Sequence, residues 1–244
     1  MTTLFISDLH LDPTRPAVTT LFLEFLQQRA TAAMALYILG DLFEAWIGDD
    51  NDEDLGIEVA SALKALTQQG TPVYFIHGNR DFLLGEDFAA ASGIQLLPES
   101  KVIELYGIPT LIMHGDILCT DDVEYQLFRA KVRSREWQTQ LLARSLAERR
   151  QIAKQLRDGS QKATRQKPAE ITDVAPKTVI RVMREHGVRH LIHGHTHRPA
   201  IHRFNIDGEP AQRIVLGDWY EQGSVLSCDP TGCRLEGLPL GQGT

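Results

Sequence analysis

Short apolar runs alternate with helical patterns through the first half of the chain. The runs contain β-branched or aromatic residues, end in polar clusters, and cover residues 4–6, 35–39, 73–76 and 110–113. Between them, residues 17–30 and 56–69 carry apolar side chains at helical spacing. Strands that alternate with helices predict a sheet packed between helical layers.

A second group of strand-like runs lies toward the C-terminal end. It covers residues 189–192, 200–206, 213–216 and 224–228. Gly208 and Gly217 fall between these runs, where glycine is typical of hairpin turns. The predicted fold class is therefore α/β, a layered sandwich with some antiparallel pairing in its second half.

One segment, residues 123–168, interrupts this alternation. Its apolar residues recur mostly four apart with Arg and Lys between them, and they are Trp137, Leu141, Leu142, Leu146, Ile152 and Leu156. This pattern is typical of basic amphipathic helices. We predict a helical cap inserted into one domain, whose core consists of residues 1–122 and 169–244. Asp158-Gly159-Ser160 predicts the end of a helix.

The positive charge is concentrated in the same segment. The whole chain carries a net charge of −7, but residues 129–167 contain 12 Lys and Arg against 3 acidic residues. That segment therefore carries +9 and the rest of the chain −16. Such asymmetry indicates either an anionic partner or a solvated helical surface, and charge alone leaves both open.

Neither a membrane span nor a disulfide framework is predicted. No run approaches the roughly 18–20 apolar residues that a spanning helix needs. The N-terminus has no basic start or cleavage site, so we expect no signal peptide and a cytoplasmic protein. The three cysteines, Cys119, Cys228 and Cys233, lack CxxC spacing. Cys228 and Cys233 could sit on adjacent strand positions, but their spacing is weak evidence for a pair. We expect reduced thiols, no structural zinc site, and a packing role for Cys119.

Residue types that bind metals follow five of the predicted strands. In chain order the stretches read Asp8-Leu-His10, Gly40-Asp41-Leu-Phe-Glu44, His77-Gly-Asn79-Arg80-Asp81, His114-Gly-Asp116 and His193-Gly-His195-Thr-His197. In open α/β sheets, ligands bind at the carboxyl edge of the strands. In the D-x-H and H-x-H pairs, residues two apart point the same way if extended, so both can reach one site.

The ligand types indicate which metals such a site would take. Carboxylate, imidazole and amide groups without a thiolate suit Mn²⁺, Fe²⁺ or Zn²⁺. A lone His or Asp at a strand end is more often a cap or turn residue, but five such elements together predict a metal centre. The neighbouring glycines, Gly40, Gly78, Gly115 and Gly194, let the backbone turn sharply and a ligand approach closely.

The motif order D-x-H, G-D-x-x-E, G-N-x-D, H-G-D and G-H-x-H resembles that of the calcineurin-like metallophosphoesterases over nearly the whole chain. This resemblance implies an α/β/β/α sandwich with two metal ions bridged by one Asp. One ion would be held by Asp8, His10, Asp41 and His197. The other would be held by Asp41, Asn79, His114 and His195. Two cations about 3.5–4 Å apart activate water for attack on phosphorus without a protein nucleophile.

Arg80 departs from the superfamily pattern. The third motif usually reads G-N-H-[DE], and its His helps the leaving group depart, whereas this chain has Arg at that position. Arginine keeps its charge, so it can clamp a phosphate but is a poor proton donor. A phosphate leaving group of low pKa needs no proton. The departure therefore favours pyrophosphate cleavage over hydrolysis of an alkyl ester.

Longer stretches around residues 36–50, 75–85, 114–122 and 191–200 resemble the UDP-2,3-diacylglucosamine hydrolases of lipid A biosynthesis. The resemblance implies a diphosphatase that cleaves its nucleotide diphospho-lipid substrate to UMP and 2,3-diacylglucosamine 1-phosphate (lipid X), using water activated by two Mn²⁺ ions. The implied catalytic residues are Asp41, Arg80, His114 and His195. The implied substrate contacts are Asn79, Arg80, Asp122, Ser160, Thr164, Lys167 and His195.

The cap then acquires an expected role in lipid binding. Its apolar residues would line a trough for two acyl chains, and its basic residues would meet an anionic membrane surface. We expect peripheral contact with the cytoplasmic face of the inner membrane, without nucleic acid or a protein partner. The alternatives are a cyclic-nucleotide phosphodiesterase, a nuclease, a protein phosphatase, or a basic protein that binds nucleic acid without catalysis.

Overall fold

The computed structural model describes residues 2–168 and 171–240, and within them it leaves the side chains of residues 161, 162 and 164–166 undescribed. The strands are β1 Thr2–Ile6, β2 Ala33–Ile38, β3 Val73–Phe75, β4 Gln95–Leu96, β5 Ser100–Leu105, β6 Ile108–Met113, β7 His190–His193, β8 Ala200–Ile206, β9 Glu209–Val215, β10 Gln222–Asp229 and β11 Gly232–Pro239. The α-helices are α1 Pro16–Gln28, α2 Asp54–Gln68, α3 Glu86–Ser92, α4 Val123–Val132, α5 Arg135–Leu142, α6 Leu146–Gln166 and α7 Pro176–Glu185.

The strands form two mixed sheets. The first has the order β11-β10-β1-β2-β3-β4, in which β1 to β4 are parallel and β10 and β11 pair antiparallel. The second has the order β5-β6-β7-β9-β8, with β6, β7 and β9 parallel at its centre. Each sheet therefore places the carboxyl ends of three central parallel strands at one edge.

Three apolar clusters separate four layers. Side chains such as Phe5, Ile112 and Ile192 fill the space between the two sheets. A second cluster packs α1, α2 and α3 on the outer face of the first sheet, and a third packs α7 on the second sheet. The predicted α/β class and its α/β/β/α layering are confirmed, because each sheet buries one face on the other and one on helices.

Two local predictions are wrong. Gly217 is not a hairpin turn, because the chain there crosses from β9 in one sheet to β10 in the other. Asp158-Gly159-Ser160 does not end a helix, since α6 continues to Gln166. A single Gly inside a helix costs only about 1 kcal/mol, which a helix of 21 residues tolerates. Gly208, by contrast, turns the β8–β9 hairpin with a φ of +83°.

The expectation of three reduced thiols is also wrong. Cys228 and Cys233 form a disulfide, because the antiparallel register of β10 and β11 places them directly opposite each other. The sequence gives little sign of β11, whose residues alternate between half-buried and exposed. Cys119 remains a free, buried thiol that packs beneath α7, as its predicted packing role requires.

Candidate metal centre

The candidate ligands lie just beyond the carboxyl ends of parallel strands from both sheets. Asp8, Asp41 and Asn79 follow β1, β2 and β3, while His114 and His195 follow β6 and β7. The two sheets face each other across their shared core, so these edges converge. The arrangement matches the prediction that ligands collect at one edge of the sheets.

The backbone is left-handed at five of the seven candidate ligands. Outside glycine, the described residues with positive φ are Asp8, His10, Asp41, His195 and His197, together with Tyr106 and Asp207 in hairpin turns. A left-handed residue costs on the order of 1–3 kcal/mol and persists where its surroundings enforce it. The assumption that the D-x-H and H-x-H pairs are extended is therefore wrong. Their side chains converge because each backbone turns at the ligand itself.

Two of the flanking glycines leave no room for a side chain. A Cβ at Gly78 would lie 2.1 Å from Oδ1 of Asp41, and a Cβ at Gly194 would lie 2.3 Å from Oδ2 of Asp8. Both distances are far shorter than a van der Waals contact. The close approach predicted for these glycines is confirmed, since the carboxylates occupy the space that a Cβ would fill.

One group of ligand atoms joins β1, β2 and the loop after β7. Nε2 of His10 lies 3.3 Å from Nε2 of His197 and 3.8 Å from Oδ2 of Asp41. Oδ1 of Asp8 lies 3.4 Å from Nε2 of His197. We call this group, Asp8, His10, Asp41 and His197, site one.

A second group of ligand atoms shares Asp41. Oδ1 of Asn79 lies 3.0 Å from Nε2 of His114 and 2.9 Å from Nδ1 of His195. Oδ2 of Asp41 lies 3.8 Å from Nε2 of His114, so the same oxygen faces both groups. We call this group, Asp41, Asn79, His114 and His195, site two. The structure thus brings all seven predicted ligands together.

The donor set fits a divalent cation. Oδ1 of Asp8 is fully buried and has no hydrogen-bond partner among the described residues, while its other oxygen accepts from Ser7 and from the backbone N–H of His195. A buried carboxylate oxygen without a hydrogen bond is unfavourable unless a positive charge faces it. Nε2 of His197 lies 3.4 Å from this oxygen, and a divalent cation would supply further positive charge. Nitrogen and oxygen ligands without sulfur suit the harder first-row metals.

Burial and neighbouring charges separate the histidine pKa values. Burial lowers the pKa of His197, but Asp8 and Asp218 outweigh it and raise that pKa to about 10. Burial and the neighbouring His114 lower the pKa of His195 to about 4. For Asp8, burial acts upward, but the imidazoles around it hold its pKa below the ordinary value. Burial lowers the pKa of His114 in site two, but Asp41 and Asp8 outweigh it and raise that pKa.

Arg80 enters the site without an ion pair to any described residue. Its Nε is buried without a hydrogen-bond partner, and its backbone N–H donates to Oδ1 of Asp41. Its side chain also lines a cavity of about 70 Å³ between the core and the cap. The guanidinium is therefore available to an anion that approaches the metal ligands.

Only some of the residues predicted to contact substrate lie together in the structure. Asn79, Arg80 and Ser160 line the cavity beneath the cap. Asp122, just before α4, and Lys167 of the cap do not line this cavity, and Nζ of Lys167 is 2.6 Å from Oδ1 of Asp122. The side chain of Thr164 lies outside the described residues. These substrate contacts stay predictions.

Two carboxylates near the site have roles that the sequence does not predict, those of Asp116 and Asp218. The buried carboxylate of Asp116 accepts hydrogen bonds from Tyr125 at 3.2 Å and from Arg129 at 2.6 Å, which fixes α4 to the loop after His114. Asp218 follows β9 after a glycine, as Asp41 follows β2 after Gly40. That repeated Gly-Asp spacing could have identified it.

Much of the cap's positive charge is paired within the chain. The pairs are Arg129 with Asp116, Arg149 with Asp50, Arg150 with Asp52, Arg157 with Asp12 and Glu44, and Lys167 with Asp122. Among the described side chains, Lys131, Arg135 and Lys154 have no such partner. The open basic surface is therefore much smaller than the segment charge indicates.

Comparison with known proteins places this site in a family. Residues 1–199 match the family described as calcineurin-like phosphoesterase. Proteins named UDP-2,3-diacylglucosamine hydrolase from Stenotrophomonas maltophilia (strain R551-3) and Enterobacter sp. (strain 638) are 56% and 54% identical. Each match covers 98% of this chain and at least 99% of the relative. A solved archaeal phosphodiesterase shares the fold at a TM-score of 0.50 and 12% identity, over 98% of this chain and all of its own.

We predict a specific pH dependence for the stability of the metal-free protein. The pKa of His197 is raised to about 10, so its contribution to stability is complete below about pH 6.5 and is lost as pH rises toward 10. The Tm of EDTA-treated protein should therefore fall over that range. His197→Gln should flatten the fall, and thermal unfolding followed by circular dichroism measures both. Equal slopes in the two proteins would show that His197 is not held in its charged form.

Proposed function

Because this chain belongs to the calcineurin-like phosphoesterase family, we propose that it hydrolyses the pyrophosphate bond of UDP-2,3-diacylglucosamine, giving UMP and 2,3-diacylglucosamine 1-phosphate. The observation that carries the proposal is the unpaired guanidinium of Arg80 beside the seven gathered ligands. The names of relatives at 54–56% identity over nearly the full chain support the substrate.

Two Mn²⁺ ions per chain are the proposed cofactors. Sites one and two share Asp41, and their nitrogen and oxygen donors suit this metal. When bound, a pair of ions supplies Lewis acidity and lowers the pKa of water. His195, whose pKa is lowered to about 4, is neutral near pH 7 and is therefore ready to act as a ligand.

The protein's own groups handle the substrate's charge. The planar fork of Arg80 can donate two hydrogen bonds to one phosphate of the diphosphate. Its buried Nε has no competing partner among the described residues, so this binding breaks no existing contact. The departing phosphate is already a stable anion, so no group is required to protonate it.

The cap supplies an apolar wall for the acyl chains. The cavity beside Arg80 is lined by Phe82, Leu83, Trp137 and Ile152 among others. At about 70 Å³ it is too small for an acyl chain. We propose that this cavity widens when lipid binds.

Peripheral membrane contact at the cytoplasmic face of the inner membrane is part of the proposal. No helix among the described residues is both long and apolar enough to span a bilayer. The outer face of α4 exposes Val123 and Leu127 at 63% and 69%, and Lys131 and Arg135 follow without ion pairs. Exposed apolar residues beside free basic ones favour contact with anionic lipid.

The structure supports the alternative functions less than it supports pyrophosphate hydrolysis. A nucleic-acid binder would need an open basic surface, but most of the cap's arginines are paired with carboxylates of the same chain. A cyclic-nucleotide phosphodiesterase, nuclease or protein phosphatase releases an alcohol of high pKa, for which a proton donor is useful. Arg80 does not provide one.

Metal removal and a substrate panel test the proposed activity. We expect EDTA to abolish hydrolysis of UDP-2,3-diacylglucosamine and Mn²⁺ to restore it best among divalent ions. A cyclic nucleotide, single-stranded DNA and a phosphopeptide should be cleaved far more slowly. Product analysis by mass spectrometry should show UMP and the sugar 1-phosphate. Full activity of the metal-stripped protein, or preference for another substrate, would contradict the proposal.

Substitution of Arg80 tests the diphosphate clamp. Arg80→Ala should lower hydrolysis of the diphosphate on the order of a hundredfold, because a charge-assisted hydrogen bond of a few kcal/mol is lost. Arg80→His should not rescue it, because the imidazole is shorter and lacks the fork. Arg181→Ala, which removes an exposed arginine on α7, is the matched control and should keep the wild-type rate. Wild-type diphosphate hydrolysis by Arg80→His would rule out the clamp.

Vesicle binding tests the membrane contact. Sedimentation with phosphatidylglycerol vesicles should weaken as salt rises, because screening over about 8–10 Å removes the attraction to Lys131 and Arg135. Leu127→Ser should reduce binding further. Met34→Ser is the control, because Met34 is exposed at the start of β2, at the end of the sheet away from the ligands. If neither salt nor Leu127→Ser changes vesicle binding, the outer face of α4 is not the membrane contact.

A further inference from the structure

The two imidazoles of site one each face a second carboxylate on their outer side. Oε2 of Glu44 lies 3.0 Å from Nδ1 of His10. Oδ2 of Asp218 lies 3.1 Å from Nδ1 of His197. The inner Nε2 atoms of the same two rings are the ones that approach each other at 3.3 Å. Each ring thus has a carboxylate within ion-pair distance of its outer nitrogen, and Nδ1 of His10 makes no hydrogen bond of its own among the described residues.

Site two lacks this arrangement. Nδ1 of His114 donates to the backbone carbonyl of Leu39 at 2.8 Å, which is a neutral acceptor. His195 turns Nδ1 inward to Asn79, and its Nε2 has no hydrogen-bond partner among the described residues. The two sites therefore differ in the groups that support their imidazoles, although they share Asp41.

An aromatic clamp adds to the support of site one. The ring of Tyr220 stacks on His10 with centroids 5.1 Å apart and planes 12° apart, and it lies 5.7 Å from the ring of His197. The guanidinium of Arg15 lies over the ring of Tyr220 at 4.5 Å from its centroid and donates to the carbonyl of Trp219 at 2.9 Å. The two rings of site one are therefore restrained in orientation as well as in charge.

We propose that Glu44 and Asp218 are positioning residues that make site one the tighter of the two metal sites. A carboxylate on the outer nitrogen of an imidazole fixes its tautomer and increases its basicity toward a metal, more than a neutral carbonyl does. Site one therefore fills first and keeps its ion, while the ion of site two exchanges. This inference rests on the two-metal centre of the proposed function but not on the identity of the substrate.

Glu44 also contacts the cap, which calls for a control. Nη1 of Arg157 on α6 lies 3.8 Å from Oε1 of Glu44 and 3.8 Å from Oδ2 of Asp12. Asp12 thus contacts the same arginine, and the described contacts place no imidazole against it. Asp12→Asn weakens the contact with the cap but leaves His10 supported, so it separates the two roles of Glu44.

Mn²⁺ titration of metal-free protein, followed by electron paramagnetic resonance, tests the order of filling. In the wild type, the first equivalent should give the spectrum of an isolated ion and the second that of a coupled pair. Glu44→Gln and Asp218→Asn keep the side-chain shape and should weaken the first binding step by roughly 10- to 100-fold. Asp12→Asn should leave both steps at wild-type affinity.

Two ligand variants assign the affected site. In a His114→Ala background, which disables site two, Glu44→Gln should still weaken binding of the remaining ion. In a His197→Ala background, which disables site one, Glu44→Gln should change nothing. Circular dichroism shows whether each variant is folded. Because Glu44 and Asp218 lie on different loops, the loss of fold in one variant leaves the other to decide.

Three results would overturn the proposal. The first is wild-type affinity for the first ion in both Glu44→Gln and Asp218→Asn. The second is an equal loss in Asp12→Asn, which would assign the effect of Glu44 to the cap. The third is a loss that persists in the His197→Ala background. These titrations contain no substrate, so an incorrect substrate assignment would leave their results unchanged.

Discussion

Two buried carboxylates set the requirements for the rest of the molecule. Asp8 and Asp41 are 0% and 2% exposed, and one oxygen of Asp8 has no hydrogen-bond partner among the described residues. Burying two acidic groups side by side is unfavourable unless positive charge faces them. Imidazoles from both sheets surround them, and two divalent cations would complete the compensation. The fold therefore buries negative charge at one edge of the sheets, where bound metal ions would neutralise it.

The backbone and the cap both serve this arrangement. Left-handed residues at the ligands, and glycines that admit carboxylates where a Cβ would lie, bring the two sheet edges close together. Strain of this kind persists because the packed sheets on either side enforce it. The cap is fixed to the same edge, since Asp116 beside the ligand loop accepts from Tyr125 and Arg129 of α4. A shift of the cap would therefore move the loop that carries Asp116, next to the metal ligands.

The sequence predicts most of the fold because buried parallel strands appear as apolar runs ending in polar clusters. The ligands follow those runs directly, so all seven could be named from spacing and resemblance. Asp218 is not predicted, although its position after Gly217 repeats that of Asp41 after Gly40. The disulfide between Cys228 and Cys233 is not predicted either, because it depends on how β11 lies against β10. The sequence does not show how the charges of the basic segment are paired, for a similar reason. Its arginines meet acidic partners such as Asp50, which is distant in sequence.

Anomalous X-ray diffraction from crystals grown with Mn²⁺ tests the central claim most directly, because it locates the ions without reference to any substrate. We expect two anomalous peaks on either side of Asp41, about 3.5–4 Å apart. One should contact Asp8, His10 and His197, and the other Asn79, His114 and His195. No peak among these residues, or a single peak even at saturating Mn²⁺, would contradict the two-metal centre.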